Sequence, residues 1–298
     1  MQVFLSNVRR NTKLFFKDKG LFFTSLITPL ILLVLYATFL SNVYKSSFEQ
    51  VFSATGSAIS DKALAGLVGG QLMSSLLAVS CVTVSFCSNM LMVQDKVNGA
   101  YNDLMITPLK RSTQALSYYV ATTISSLIVC YIALGACLIY VAIVGWYLSF
   151  IDVLLLIIDV FIMVTFGTAL SSVINYFLSS QGQISAVGSI VSSCYGFICG
   201  AYMPLASFSE GLRSAVMFLP GTYGTALFRN HSIRGALSEI SKTAPEAIKG
   251  IKDSIDCNLY FFGNQVQTLT MYIVVIASIA LLITAYVLIN KFCKQKKK

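Results

Sequence analysis

Few residues in this chain are able to do chemistry, and they stand far apart. His231 is the single histidine, and Asp159 is the one acid well inside an apolar run. There are eight cysteines. Six of them (Cys81, Cys87, Cys130, Cys137, Cys194 and Cys199) fall within apolar stretches, leaving Cys257 without a nearby partner and Cys293 in a basic tail. That distribution gives neither a disulfide framework nor a Cys/His cluster with metal-ligand spacing. His231 reads as an ordinary loop residue. Asp159 lies about 10 Å beyond Asp152 if the intervening residues are helical. An acid at membrane depth is a functional candidate by default, but with no evident partner it reads as a water-reached or hydrogen-bonded structural group. No G-x-x-x-x-G-K-[ST] loop is present to hydrolyse ATP, and neither G-x-S-x-G nor H-E-x-x-H suggests a hydrolase. Paired membrane carboxylates and internal repeats, expected of a secondary transporter, are missing as well. The chain therefore carries no catalytic, cofactor-binding or metal site of its own.

What must position these residues is a set of helices written for lipid. The 298 residues are 56% hydrophobic and only 11% charged, far below the charge of a soluble domain. Charge-free windows at 21–40, 63–94, 112–151, 160–209 and 257–290 are each long enough for a spanning helix. The polar break SSQGQ at 179–183 divides the fourth window, which is too long for one helix. Six spans follow, at about 21–40, 64–92, 114–146, 150–178, 184–206 and 268–290, in one membrane domain covering residues 1–298. The first span has no cleavage pattern and reads as retained.

Lysine and arginine set the expected orientation. Residues 1–20, the loop 93–113 and the tail 291–298 together hold 13 cations and three acids, against eight and seven in the alternate segments. Both termini and loop 93–113 are therefore expected in the cytoplasm. The net charge of +9 is mostly this topology signal, not a nucleic-acid surface. Residues 3–16 predict an amphipathic helix on the membrane face, with Phe4, Leu5, Val8, Thr12, Phe15 and Phe16 toward lipid.

Stripes of small residues at four-residue spacing mark two spans: Gly66, Gly70, Ser74 and Ala78 in the second, and Gly188, Ser192, Gly196 and Gly200 in the fifth. Such stripes let helices approach closely, within one subunit or between two. Residues 207–267 form the long external segment. Within it, FLPGTYGTALFRNHSIRG at 218–235 predicts a partly embedded hairpin, and Thr243 with Glu246 predicts a capping box opening a short surface helix.

The stretch 95–111, DKVNGAYNDLMITPLKR, carries the most specific pattern. It resembles the cytoplasmic loop of the permease subunit of ABC-2 type exporters, which often reads acid-Arg-Glu-x-Gly and then Thr-Pro-hydrophobe-x-Arg. Asp95, Gly99, Leu104, Thr107, Pro108, Leu109 and Arg111 match, while Lys96 and Val97 stand in place of Arg and Glu. Further on, residues 202–230 resemble the end of the fifth span and the re-entrant hairpin of that family, with Pro204, Pro220 and Tyr223 in register. The order and spacing of these motifs extend over nearly the whole chain.

The resemblance implies an all-α integral membrane protein, type V ABC exporter-like, with an N-terminal interfacial helix, six spans and a re-entrant hairpin before the last. It implies two permease copies or paralogues, each meeting an ABC ATPase subunit that would hold ATP and magnesium, in a bacterial plasma membrane. It further implies that Val97, Asn98, Gly99, Ala100, Tyr101, Asp103 and Leu104 form a coupling helix docked on the ATPase. Gly99 would allow the chain to reverse, Ala100, Leu104 and Tyr101 would offer apolar contact, and Thr107 with Pro108 would start the next helix. By the same analogy the pathway is lined by Thr83, Phe86, Asn89, Ser185, Ser189 and Tyr195, with Asp159 nearby. A drug, an antimicrobial peptide or another amphipathic or lipid-like compound suits such apolar spans. A polysaccharide or teichoic-acid precursor, or sodium, is an alternative cargo, and a non-transport assembly or sensor subunit is the alternative class.

Overall fold

A computed structural model describes residues 2–55, 60–106 and 110–292. Five of its helices are long and apolar enough to cross a membrane: Lys19–Gln50, Asp61–Val97, Arg111–Val144, Phe150–Tyr176 and Thr268–Phe292. In order, the helices are α1 (Gln2–Lys17), α2 (Lys19–Leu35), α3 (Ser41–Thr55), α4 (Asp61–Ser88), α5 (Met90–Val97), α6 (Ala100–Met105) and α7 (Arg111–Val144). Then come α8 (Phe150–Tyr176), α9 (Gln181–Ile198), α10 (Glu210–Val216), α11 (Pro220–Ser232), α12 (Arg234–Thr243), α13 (Ala247–Ser254) and α14 (Thr268–Phe292). A π-turn over Tyr36–Leu40 joins α2 to α3, so the first helix continues past the end of its apolar run at residue 40. A small hairpin of β1 (Tyr260–Phe261) and β2 (Asn264–Gln265) precedes α14.

The bundle has two ends. Its base carries α1, the α5–α6 reversal and the end of α14. Its cap carries α10–α13 and the β-hairpin. Helix α4 is the central post: 89% of its most apolar window is buried, and α2, α7, α8, α9 and α11 all pack on it. Its small residues make this possible. A methyl group on Gly70 would lie 2.6 Å from the Ser232 carbonyl oxygen, and one on Gly66 would lie 2.5 Å from the Tyr147 ring. Ser74 and Ala78 are fully buried on the same helix. The stripe of α4 is therefore filled by its own subunit.

Two caps differ from expectation. Thr243 is the last residue of α12 and its hydroxyl bonds back to the Ile240 carbonyl, while Glu246 precedes α13 without a side-chain cap. The capping box lies instead at the start of α8, where the Ser149 hydroxyl accepts from the Asp152 N–H and the Asp152 carboxylate accepts from the Ser149 N–H. Arg234 of α12 pairs with that same carboxylate at 2.8 Å and ties the cap to α8. At the next helix, Lys110 is the N-cap of α7, while Thr107 and Pro108 lie outside the described residues.

The fifth apolar stretch is not one regular helix from 184 to 206. Helix α9 ends at Ile198, and Gly200, with φ of +72°, closes it through Ala201 N–H donating to the Gly196 carbonyl. Gly200 is thus a helix terminator rather than a packing notch. Eighteen residues of helix span about 27 Å, just short of a hydrocarbon core of about 30 Å. The chain continues through buried irregular backbone, where unpaired polar groups are costly. Arg229 donates to the Gly200 carbonyl, and Asp256 accepts the Leu205 N–H at 2.7 Å and pairs with Arg229 at 3.2 Å. Burial raises the Asp256 carboxyl above its ordinary value, with Arg229 and that N–H pulling it partly back. Asp256 itself sits at φ +54°, a left-handed conformation that these contacts hold in place.

Helices α10 and α11 form a helix–turn–helix, and the stretch 218–235 takes in part of its turn, all of α11 and the first residues of α12. Pro220 is at the first turn of α11, and the Tyr223 hydroxyl donates to the Met217 carbonyl at 2.7 Å, locking the turn between α10 and α11. Gly221–Arg229 are all buried. Helix α11 rises against α8 in the opposite sense, with Gly224 against Met163 and His231 against Asp159. The turn at 217–219 is therefore the deepest part of the hairpin. Pro204 lies just before a short 3₁₀ turn, outside this hairpin.

Candidate functional site at the base of the bundle

The base is built around a chain reversal. Helix α5 ends at Val97, Gly99 turns the backbone at φ +81°, and α6 runs from Ala100 to Met105. A methyl on Gly99 would meet nothing within 4 Å, so the requirement for glycine is the left-handed backbone and not space.

Side chains immediately before the reversal fix it to three other elements. The buried Asp95 accepts from Arg10 of α1 at 2.8 Å and from the Tyr118 hydroxyl of α7 at 2.6 Å. Burial works against the Arg10 charge, yet the hydrogen bond and field of Asp95 outweigh it and hold the guanidinium above its ordinary value. Lys96 turns the other way and donates to the carbonyls of Tyr176, Asn175 and Leu178, at 2.8, 3.2 and 3.5 Å. A cation is favoured there by the free carbonyls and dipole at the C-terminus of α8. Its ammonium also lies 5.3 Å from the Tyr176 ring centroid. Acid and cation at 95 and 96 thus clamp the loop to α1, α7 and α8 at once.

Helix α1 is more than a charged leader. Its buried face is Asn7, Val8, Asn11 and Phe15, and Asn7 donates to Gln114 of α7 at 2.8 Å. Phe4 and Thr12 are half-buried and Leu5 is exposed, so the face expected to meet lipid is rotated from the one that packs on the bundle.

The apolar residues of the reversal also divide differently from expectation. Tyr101 turns inward, its ring 6.3 Å from Tyr118, and burial raises its hydroxyl above the ordinary value. Leu104 packs beside it against the cluster of Met92, Tyr118 and Tyr286. Ala100 is half-buried. The exposed apolar side chains are Val97 (46%) and Ile106 (83%), with Asn98, Asn102 and Asp103 exposed between them. Ile106 was missed in the sequence because its side is fixed by the phase of α6, which starts only at Gly99.

The expected pathway residues separate into two groups. Thr83, Phe86 and Asn89 are buried inside the subunit. Asn89 caps the end of α4, and its amide donates to Ser171 and Ser172 of α8, each at 3.0 Å. That is interhelical glue. Ser185 and Ser189, on α9, face outward and are exposed. Gly188 and Gly196 on that helix instead face their own subunit, against Met90 and the Tyr202 ring, and Ser192 is half-buried between the two faces. The Tyr195 hydroxyl lies against Gly221 of α11.

Asp159 has partners after all. Its carboxylate lies 2.6 Å from His231 Nδ1 and accepts the Tyr272 hydroxyl at 2.6 Å. His231 is therefore a buried link between α11, α8 and α14, not a plain loop residue. His231 and Tyr272 stand 72 and 113 positions from Asp159, beyond the reach of any spacing rule. One signal was available: a solitary membrane acid requires a partner, and the solitary histidine lies in the apolar hairpin.

None of these groups is arranged for covalent chemistry. Among the described residues no set of three His, Cys, Asp or Glu is placed to hold a metal. Burial pushes the Cys257 thiol up to about 12, which suppresses its thiolate at neutral pH. Residues 2–231 match the family model described as ABC-2 type transporter. No curated protein matches the chain.

Proposed function

We propose a function from one premise: this chain belongs to the ABC-2 type transporter family. Members are multi-pass membrane components of transporters that work with an ABC ATPase. This chain is the permease subunit of an ATP-driven exporter, with both termini and the base in the cytoplasm of a bacterial cell. ATP and magnesium belong to the partner. Six crossings are completed when α9 and the buried segment after it are counted with the five long helices. Helix α1 lies at the inner membrane face, and α10–α11 form the re-entrant hairpin.

The observation that carries this reading is the clamped reversal at Gly99. A simple connector has no need of a buried ion pair on one side and a capped helix end on the other. The clamp makes residues 97–106 rigid with respect to α1, α7 and α8, so a push on Val97, Asn98, Asp103 and Ile106 is passed to the bundle. Nucleotide-driven closure of two ATPase subunits would supply that push and open the path between two permeases outward. The exposed serines of α9 are the part of that path this chain offers, and an amphipathic drug, peptide or lipid-like compound is the cargo class that fits its sparse charge.

Co-purification with an ABC ATPase subunit tests the reading. The wild-type chain should bring the ATPase down and change its hydrolysis rate. Ile106→Asp should weaken that capture at least tenfold while leaving the bundle folded. Capture unchanged by Ile106→Asp and by Val97→Asp would place the contact elsewhere, and no capture of any ATPase would leave a non-transport membrane subunit.

A further inference from the structure

Three features of the cap stand apart from the clamped reversal at the base. The cleft beside His231 is lined by Arg234 and Lys252, but Arg234 is already paired with Asp152 and His231 with Asp159, which leaves little charge for an anion. The Asp159–His231–Tyr272 link is buried and accounted for by packing. The third feature is the tip of the β-hairpin.

Phe262 and Gly263 form the two-residue turn between β1 and β2, with φ of +47° and +82°. Such turns favour Asn, Asp or Gly at the first position, where a left-handed backbone is required. A phenylalanine there is held in a strained conformation. It is also 77% exposed. Its ring lies 4.7 Å from Phe261 and 6.4 Å from Phe218, and Phe218 and Phe261 are 5.2 Å apart. Phe218 is itself 65% exposed, and Leu219 and Leu212 are exposed nearby.

The level of this patch follows from its neighbours. Phe218 lies in the turn at 217–219, the deepest part of the re-entrant hairpin. The segment that forms the tip leaves the cap at Cys257, whose carbonyl accepts from Asn230 near the top of α11. The tip therefore reaches from the top of α11 down to its foot. It lies only five residues before Thr268, at most about 18 Å of extended chain. Helix α14 then opens with an exposed apolar flank, Leu269, Ile273 and Ile276, which faces lipid in a multi-pass protein.

A groove of about 330 Å³ runs between α10 and this hairpin, lined by Glu210, Arg213, Met217, Tyr260, Phe261 and Phe262. Arg213 stands five residues before Phe218 on the descending side of the turn, about 7.5 Å of helix nearer the cap. From cap to depth the groove thus offers the charges of Glu210 and Arg213, then methionine, then aromatic rings. That order matches a phospholipid, with its phosphate at the interface and its chains below.

We propose that the Phe218–Phe261–Phe262 tip is a wedge inserted into the leaflet on the cap side, holding a phospholipid in the groove with Arg213 at its phosphate. This rests on the re-entrant reading of α10–α11 proposed above and not on the coupling assignment. The strained Phe262 is what presents the ring outward, where an asparagine or glycine would present nothing to lipid.

The chain has one tryptophan, Trp146, so a Trp146→Phe, Phe262→Trp double variant carries a single fluorophore at the tip. The full chain is reconstituted in phosphatidylglycerol vesicles with acyl chains brominated at set depths. Emission blue-shifted from that of an exposed tryptophan, quenched at least twofold by brominated chains and little by aqueous iodide, supports the wedge. Quenching by iodide alone overturns it in favour of a water-facing tip. Quenching by neither overturns it in favour of a face covered by protein, such as a second copy of this chain. Adding Arg213→Gln should cut the brominated-lipid quenching by about half, and unchanged quenching would overturn the phosphate assignment.

Discussion

Helices α4 and α9 carry the same stripe of small residues and use it to opposite effect. On α4 every side is occupied: the stripe admits Tyr147 and Ser232, and the remaining faces meet α2, α7, α8 and α9. On α9 the stripe takes in Met90 and Tyr202 of the same subunit, while Ser185, Ser189, Ser193 and Cys194 remain exposed on the other side. A repeat of small residues thus reports close approach but not how many neighbours approach. Polar residues on the two helices differ accordingly. At the lower end of α4, Ser85 and the capping Asn89 bond to α8 and hold the subunit together, whereas the serines of α9 are free to meet something outside it.

Four substitutions break or sharpen this contrast. The largest effect is expected at Gly70→Val, where the new side chain has only the Ser232 carbonyl and Ile233 to move against. Overpacking by two or more carbons should cost about 3 kcal/mol or more, seen as loss of monodisperse protein in detergent. If Gly70→Val folds normally, α4 is not the closed post described above. Next comes Asn89→Ala, which removes the donor to Ser171 and Ser172. It should lower stability by about 1–2 kcal/mol, in the range for interhelical hydrogen bonds in lipid, measured as a drop in thermal midpoint. Gly196→Ala should cost about 1 kcal/mol, since the Tyr202 ring must move aside. A loss as large as that at Gly70 would show α9 to be as enclosed as α4. Smallest in stability is Ser189→Leu, expected within about 0.5 kcal/mol of wild type. Its effect should appear in transport, with ATP-driven uptake of a fluorescent amphipathic compound into inside-out vesicles reduced. Unaltered uptake would remove α9 from the path.

Much of the scaffold was legible in the sequence, for a physical reason. A helix facing lipid on most of its surface must be apolar throughout, so α8 and α14, at Phe150–Tyr176 and Thr268–Phe292, fall within two residues of the runs at 150–178 and 268–290. Gly99 was legible because a left-handed residue between two short helices leaves few alternatives. Hydropathy fails at α9, since it does not register where a helix stops inside an apolar run. The terminator Gly200 looks like another small residue of the stripe, and the groups that satisfy the backbone beyond it, Arg229 and Asp256, read as ordinary loop charges. The inward turn of Tyr101 and Leu104 was hidden for a related reason. Which face of a six-residue helix is buried depends on Tyr118 and Tyr286, which no local pattern reveals.

The buried segment after Ile198 also bears on how the protein is made. Its carbonyl at Gly200 is satisfied by a residue 29 positions later, and its N–H at Leu205 by one 51 positions later. A ribosome that has delivered residues 1–209 has delivered a segment whose Gly200 carbonyl and Leu205 N–H have no lasting partner. Translation must proceed past Asp256 before that segment closes. Until then the nascent chain depends on the insertion machinery, or on its water, to shelter it, so assembly of this subunit is obliged to finish from its C-terminal side.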